Sequence, residues 1–289
     1  MLRELGHTVS VQVDWDRSAA ELMIALHARR SHASMRNYVV CCPDQPLILA
    51  LTGTDLYHDI RTDGEAQASM QWATRMIVLQ EMGLAELAPV LRRKTRVVYQ
   101  SAQAVQRPPP LKSCFEVIVS GHLRDEKDPF RAAAALACLP KVSRIRITHV
   151  GGAMSSEMAQ QAKNWMAREQ RYHWLGEVTR GKALRLLARS RLMVISSRLE
   201  GGANVMSEAL ANNVPVIASR IPGNVGMLGR DYAGYYALED ERALARVLTR
   251  AETDRRFYQK LASQCHARKP RVTHASERNA LQRIVAEIS

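Results

Sequence analysis

Short apolar runs recur along this chain, at residues 22–26, 47–51, 76–79 and 96–99, and stretches of helical composition separate them, such as residues 31–40 behind Ser31 as a candidate N-cap. Continuous apolar strands alternating with helices predict a parallel sheet covered on both faces, because a strand buried on both sides has no polar face to display. The alternation restarts after residue 113. Strands are predicted at 114–119, 144–150, 172–174, 192–196 and 214–218, with helices at 129–138, 155–169, after Thr179 as N-cap, and at 203–212. Ahead of the first run, residues 1–5 read as the end of a helix, Gly6 as the residue past its C-cap, and residues 8–13 (TVSVQV) as an alternating strand.

Residues 106–113 (QRPPPLKS) form a Pro-rich stretch whose successive prolines enforce extended backbone, which predicts an interdomain linker. The expected architecture is α/β: two Rossmann-like, doubly wound parallel-sheet domains with a cleft between them. The N-terminal domain covers residues 1–108 and the C-terminal domain 109–272. In the last segment, 273–289, Leu281, Ile284, Val285 and Ile288 share a helical face that packs back on the first domain.

A chain of 289 residues suits about two domains, and no apolar run approaches the ~18 residues that span a bilayer. Five cysteines without CxxC spacing, and a start without a signal peptide's apolar core, point to a reducing cytoplasm. Lys and Arg total 41 against 28 Asp and Glu, a net +13 that suits phosphorylated ligands. The basic residues are scattered and aromatics make up only 5%, which argues against nucleic acid as partner.

Chemistry concentrates in residues 196–217, Ser-Ser-Arg-Leu-Glu-Gly-Gly-Ala-Asn-Val-Met-Ser-Glu-Ala-Leu-Ala-Asn-Asn-Val-Pro-Val-Ile. A strand ends, a glycine pair turns the backbone, and a helix begins whose free N–H groups attract a phosphate. Glu200 and Glu208 bracket that turn. They can accept hydrogen bonds from sugar hydroxyls, although two glutamates on a solvated helix would be the plainer reading of this segment alone.

Taken with its neighbours, the segment resembles the nucleotide-sugar half of GT-B glycosyltransferases of glycosyltransferase family four. Residues 121–127 (Gly-His-Leu-Arg-Asp-Glu-Lys) are similar to the family's G-R-L-x-x-x-K. Residues 148–152 (Thr-His-Val-Gly-Gly) are similar to its strand and glycine turn, residues 174–176 (Trp-Leu-Gly) to its F-L-G, and Glu200 to Glu208 to its paired-glutamate signature. The resemblance implies a donor site of His122, Gly151, Leu175, Gly176, Gly201, Gly202, Asn204, Val205 and Glu208. Lys127 and Arg124 would neutralise the departing UDP, and Glu200 would hold the sugar. His122 stands where the family has its diphosphate-binding Arg, so Arg124 replaces that residue or His122 donates in its place. The resemblance also places Met1 near the end of the family's first helix, past its opening strand and glycine loop, so either the true start lies upstream or the N-terminal domain is a shortened version.

Residues 25–31 (Ala-Leu-His-Ala-Arg-Arg-Ser), 51–57 (Leu-Thr-Gly-Thr-Asp-Leu-Tyr) and 121–129 are further similar to the selenosugar synthases of selenoneine biosynthesis. This resemblance implies transfer of a hexosyl or hexosaminyl unit from UDP-glucose or UDP-N-acetylglucosamine to selenophosphate, no cofactor, and a link to a selenophosphate-producing enzyme. The acceptor would meet His27, Arg29, Arg30, Thr52, Gly53, Thr54 and Asp55, with Asp55 or His58 positioning water for loss of phosphate. Two alternatives remain, a family-four transferase acting on a lipid or glycan acceptor and a nucleotide-sugar-binding protein that has lost turnover. Asp14-Trp-Asp16 fits a metal D-x-D motif only superficially, so no metal is expected. Cys41 and Cys42 read as buried packing, and Met154, Met158 and Met166 as core or helix-face residues.

Overall fold

The computed structural model describes residues 1–288 and divides the chain into two compact units. The first comprises Met1–Gln100, Glu200–Gly202 and the chain from His274 on; the second comprises Ser101–Leu199 and Ala203–Thr273.

Unit 1 is built on a four-stranded parallel sheet in the order β1 (Met23–Leu26), β2 (Leu47–Ala50), β3 (Arg75–Val78), β4 (Thr95–Val97). β1 and β2 are apolar throughout and β3 is apolar after Arg75, because alternate residues enter two different cores. Leu47, Leu49, Met76 and Val78 meet Met35 and Tyr38 of the helix His32–Cys41 and Ala66 and Met70 of the helix Gly64–Trp72. Ile48, Ala50 and Ile77 turn the other way, onto Leu281, Ile284 and Ile288. The helix His274–Ala286 thus closes the second face of this sheet, and Glu287 beyond it pairs with Arg75 at 2.9 Å and Arg96 at 2.8 Å.

Residues 8–13 do not form the predicted strand. They are irregular and largely exposed, with Val11 86% and Val13 99% accessible. An alternating pattern becomes a strand only where a neighbouring ladder takes up its N–H and C=O groups, and β1 is bonded only to β2. Asp14 and Asp16 lie in this irregular, exposed segment rather than at a strand end, and Asp16 accepts from Ser18 N–H at 2.9 Å. Cys41 is exposed, which corrects its reading as buried packing, while half-buried Cys42 packs against the core. Met154 and Met166 are exposed as well.

Unit 2 holds a six-stranded parallel sheet: β5 (Phe115–Ser120), β6 (Ile145–Val150), β7 (Tyr172–Trp174), β8 (Leu192–Ile195), β9 (Val216–Ser219) and β10 (Tyr235–Tyr236), in the order β10-β9-β8-β5-β6-β7. The chain leaves β5 toward β6 on one side and returns to β8 on the other, so the order reverses between β5 and β8. In open α/β sheets the crevice at the carboxyl ends of such a pair is where ligands bind. Side-chain caps start several helices, including Thr179 on Lys182 N–H and Asp240 on Ala243 N–H. The Pro-rich stretch is irregular, and the segment before it is held to unit 2. Val105 N–H donates to Asn212 Oδ1 at 2.9 Å, and Asn212 Nδ2 donates to Gln103 O at 3.3 Å.

Candidate functional site

The carboxyl ends of β5, β6 and β7 are knitted together by backbone. Gly151 follows β6 with φ +143, and a Cβ there would lie 2.0 Å from Gly121 O, so only glycine lets the two loops approach this closely. Gly151 N–H donates to Gly176 O at 2.9 Å, Leu175 N–H to His149 O at 2.9 Å, and Trp174 Nε1 to Gly151 O at 2.8 Å. Fully buried His149 donates from Nε2 to Gly121 O at 3.2 Å and accepts the Tyr172 hydroxyl on Nδ1 at 2.8 Å. That bonding is the neutral tautomer, and burial holds its pKa down at about 4. The motif residues Gly121, Gly151, Leu175 and Gly176 are thus gathered on one edge, and exposed His122 accepts from Gly152 N–H on its Nδ1 at 3.1 Å.

Arg124 and Lys127 flank the single 3-10 turn Asp125–Lys127 after β5, Arg124 exposed and Lys127 half-buried. The loop after β8, across the strand-order reversal, supports this turn: Ser196 Oγ reaches Lys127 O at 3.0 Å and Asp128 O at 2.8 Å. Asn204 and Val205 open the helix Asn204–Ala211, whose start has no side-chain cap, and Met206 N–H donates to Ala203 O at 2.8 Å. Glu208 on that helix is half-buried and 3.7 Å from Arg180. Burial raises its carboxyl pKa, and Arg180 offsets part of the rise.

The remaining motif residues belong to unit 1. A Cβ on Gly201 would lie 2.1 Å from Thr52 O, and one on Gly202 would lie 2.4 Å from Leu79 Cβ, so the turn after buried Glu200 rests directly on the Thr52–Gly53 backbone. Thr52, Gly53, Thr54 and Asp55 follow β2, and His27, Arg29 and Arg30 follow β1. The structure joins these two segments. His27, in left-handed backbone at φ +75, lies with Nε2 3.0 Å from Thr54 Oγ1, and Arg30 N–H donates to its Nδ1 at 3.3 Å. The ring proton therefore sits on Nε2. Asp55 is fully buried, and its carboxylate accepts from Ala28 N–H at 2.9 Å, Thr52 N–H at 2.8 Å and Thr52 Oγ1 at 2.9 Å.

Asp55 thus clamps the two loops together, and His58 is exposed on the far part of the π-helical turn Asp55–Asp59. Sequence reasoning missed Asp59. Its buried Oδ2 has no hydrogen-bond partner and lies 3.5 Å from Arg29 Nε and 3.8 Å from His27 Nε2. It also missed Arg198, visible in the motif but carrying no signature of its own. Among the described residues, no group of three His, Cys, Asp or Glu is arranged to hold a metal ion, and no helix is long and apolar enough to cross a membrane.

Two parallel-sheet α/β units define the GT-B class of fold. Residues 106–268, more than half of the chain, match the family glycosyl transferases group 1, and the chain belongs to that family. Solved structures agree in fold. HepE from Anabaena in complex with UDP and glucose superposes at TM-score 0.75 with 16% identity, covering 92% of this chain and 78% of that one. The same protein in complex with UDP-glucose gives TM-score 0.73 with 16% identity, over 92% and 79% of the two chains. Sucrose-phosphate synthase from Thermosynechococcus elongatus gives 0.71 with 17% identity, over 92% and 73%. A search of curated proteins finds no match.

Proposed function

We propose that the protein transfers a hexosyl or N-acetylhexosaminyl unit from a UDP-sugar to the selenium of selenophosphate. The anomeric carbon to UDP oxygen bond breaks, a carbon to selenium bond forms, and UDP leaves with the bonding electrons. Water then removes phosphate from selenium to give a selenosugar. The donor half of this reading is supported by the family and by HepE, a protein of like fold solved with UDP and UDP-glucose. On it, Arg124 and Lys127 face the diphosphate together with the N–H groups of Asn204 and Val205. Glu208 accepts the ribose hydroxyls and Glu200 those of the sugar.

The observation that carries the acceptor half is the union of the loops after β1 and β2, the two segments that resemble selenosugar synthases, through His27 with Thr54 and Ala28 with Asp55. Selenophosphate is an anion with an exposed, soft nucleophilic atom, so the site needs cations more than it needs a strong base. Arg29 and Arg30 stand at that loop. A reducing cytoplasm suits so easily oxidised a substrate, and a selenophosphate-producing enzyme is the expected functional neighbour. The test is UDP release followed by a coupled assay. Release should depend on selenophosphate, and Arg30→Ala should raise the selenophosphate KM severalfold while leaving the UDP-sugar KM unchanged. Release that ignores selenophosphate would end this reading.

One observation favours a second reading. The unbonded Asp59 Oδ2 beside His27 suits a hydroxyl group better than an anion, which keeps a lipid or glycan acceptor as the alternative. In the same assay a glycan or glycolipid would then drive release where selenophosphate does not.

A further inference from the structure

The turn that carries Arg124 and Lys127 has little to hold it from within. It is one 3-10 turn with no buried residue, and it ends on Asp128 in left-handed backbone at φ +43, a conformation uncommon for a residue other than glycine. Its support comes from the loop after β8, and chiefly from one side chain. Arg198 donates its backbone N–H to Glu126 O at 2.8 Å and its Nη1 to Asp125 O, and its Nη2 lies 3.5 Å from the Asp128 carboxylate. Its Nε pairs with Glu239, which fixes the plane of the fork from the opposite side. Asp128 is held in turn by Arg131 at 2.8 Å, itself paired with Glu241 at 2.6 Å. One residue thus engages three positions of the turn, Asp125, Glu126 and Asp128, on both sides of Lys127.

We propose that Arg198 is a positioning residue for the donor diphosphate: it clamps the 125–128 turn and so sets where Lys127 presents its charge. The proposal rests on reading that turn as the diphosphate-binding segment. The charge of Arg198 is committed to Glu239 and Asp128, so it acts through the turn and not as a ligand of the diphosphate. Its side chain is 40% exposed, and ion pairs this exposed contribute little to stability. Its loss should therefore be felt in binding and not in folding. A lysine keeps the charge but lacks the planar fork that reaches a carbonyl and two carboxylates together.

The test is titration of UDP into the full chain by calorimetry, comparing wild type, Arg198→Ala, Arg198→Lys, Lys127→Ala and the Arg198→Ala/Lys127→Ala double variant. Both Arg198 variants should weaken UDP binding about tenfold, with thermal midpoints within about 2 °C of wild type. The double variant should bind within about twofold of Lys127→Ala alone, because the clamp has no role once the lysine is gone. Wild-type affinity in Arg198→Lys would overturn the clamp, as would a double variant whose loss is the product of the single losses. If Lys127→Ala itself binds UDP as wild type does, the reading of the turn as the diphosphate site fails, which the other outcomes do not imply.

Discussion

Asp55→Asn tests how the acceptor-side loops are held. The carboxylate is fully buried and takes two backbone N–H groups and one hydroxyl from residues on either side of it in the fold. Hydrogen bonds to a charged acceptor contribute about 1.5–3 kcal/mol each, and a buried donor left without an acceptor costs about 1–3 kcal/mol. Asparagine keeps one carbonyl oxygen and turns an NH2 group toward the other donors. It should therefore remove at least one of the Ala28 and Thr52 backbone bonds and weaken the rest, a loss of about 2–3 kcal/mol. With one kcal/mol moving the midpoint by about 4 °C in a unit of this size, unit 1 should melt about 10 °C lower by scanning calorimetry. Because the same carboxylate sets the loop that carries His27, Arg29 and Arg30, the selenophosphate KM should rise as well. A variant that melts within 1 °C of wild type, with unchanged KM, would refute the clamp.

Three further outcomes follow from the geometry. Gly151→Ala puts a methyl group on the Gly121 carbonyl in a backbone setting few side chains adopt, so it should cost several kcal/mol (~3 or more) and abolish UDP binding; near-native stability in a urea melt would contradict it. His149 is neutral when folded, with its pKa held at about 4 against an ordinary 6.5. Between those values the unfolded chain binds the extra proton, so about 3 kcal/mol of stability, fully present above pH 6.5, should drain away as pH falls toward 4. Urea midpoints across that window should flatten in His149→Gln, and an equally steep profile in the variant would sink the assignment. On the proposed role of Glu208 toward the ribose hydroxyls, the ionised carboxylate accepts best, and burial raises the pKa at which it forms. UDP affinity should accordingly begin to fall at a pH above the usual glutamate range, and Glu208→Gln should bind weakly without that dependence.

The parallel sheets were legible because strands buried on both faces leave unbroken apolar runs, as at Leu47–Ala50 and Leu192–Ile195. The glycine turns were legible because Gly151 and Gly201 lie where a Cβ has no room. What the sequence could not report was dependence on distant partners. Residues 8–13 alternate like a strand yet have no ladder to join. Ser31 stands at the N-cap of the helix His32–Cys41 as its sequence suggests, yet its hydroxyl goes to Leu26 O at 2.6 Å instead of the helix's own N–H groups. Asp55 reads as an acceptor-side residue, and the fold adds that both of its oxygens tie the loops after β1 and β2 together. Arg198 and Asp59 belong to no spacing pattern, and their roles arise from a turn and a loop that only the fold brings to them.

In the proposed reaction selenium becomes bonded to the anomeric carbon. The most direct measurement is mass spectrometry of the purified protein incubated with selenophosphate and either UDP-N-acetylglucosamine or UDP-glucose under reducing conditions. The account predicts a sugar carrying the selenium isotope pattern, formed in step with UDP and absent when either substrate is withheld. UDP released with no selenium in any sugar product would contradict it and pass the acceptor to a hydroxyl.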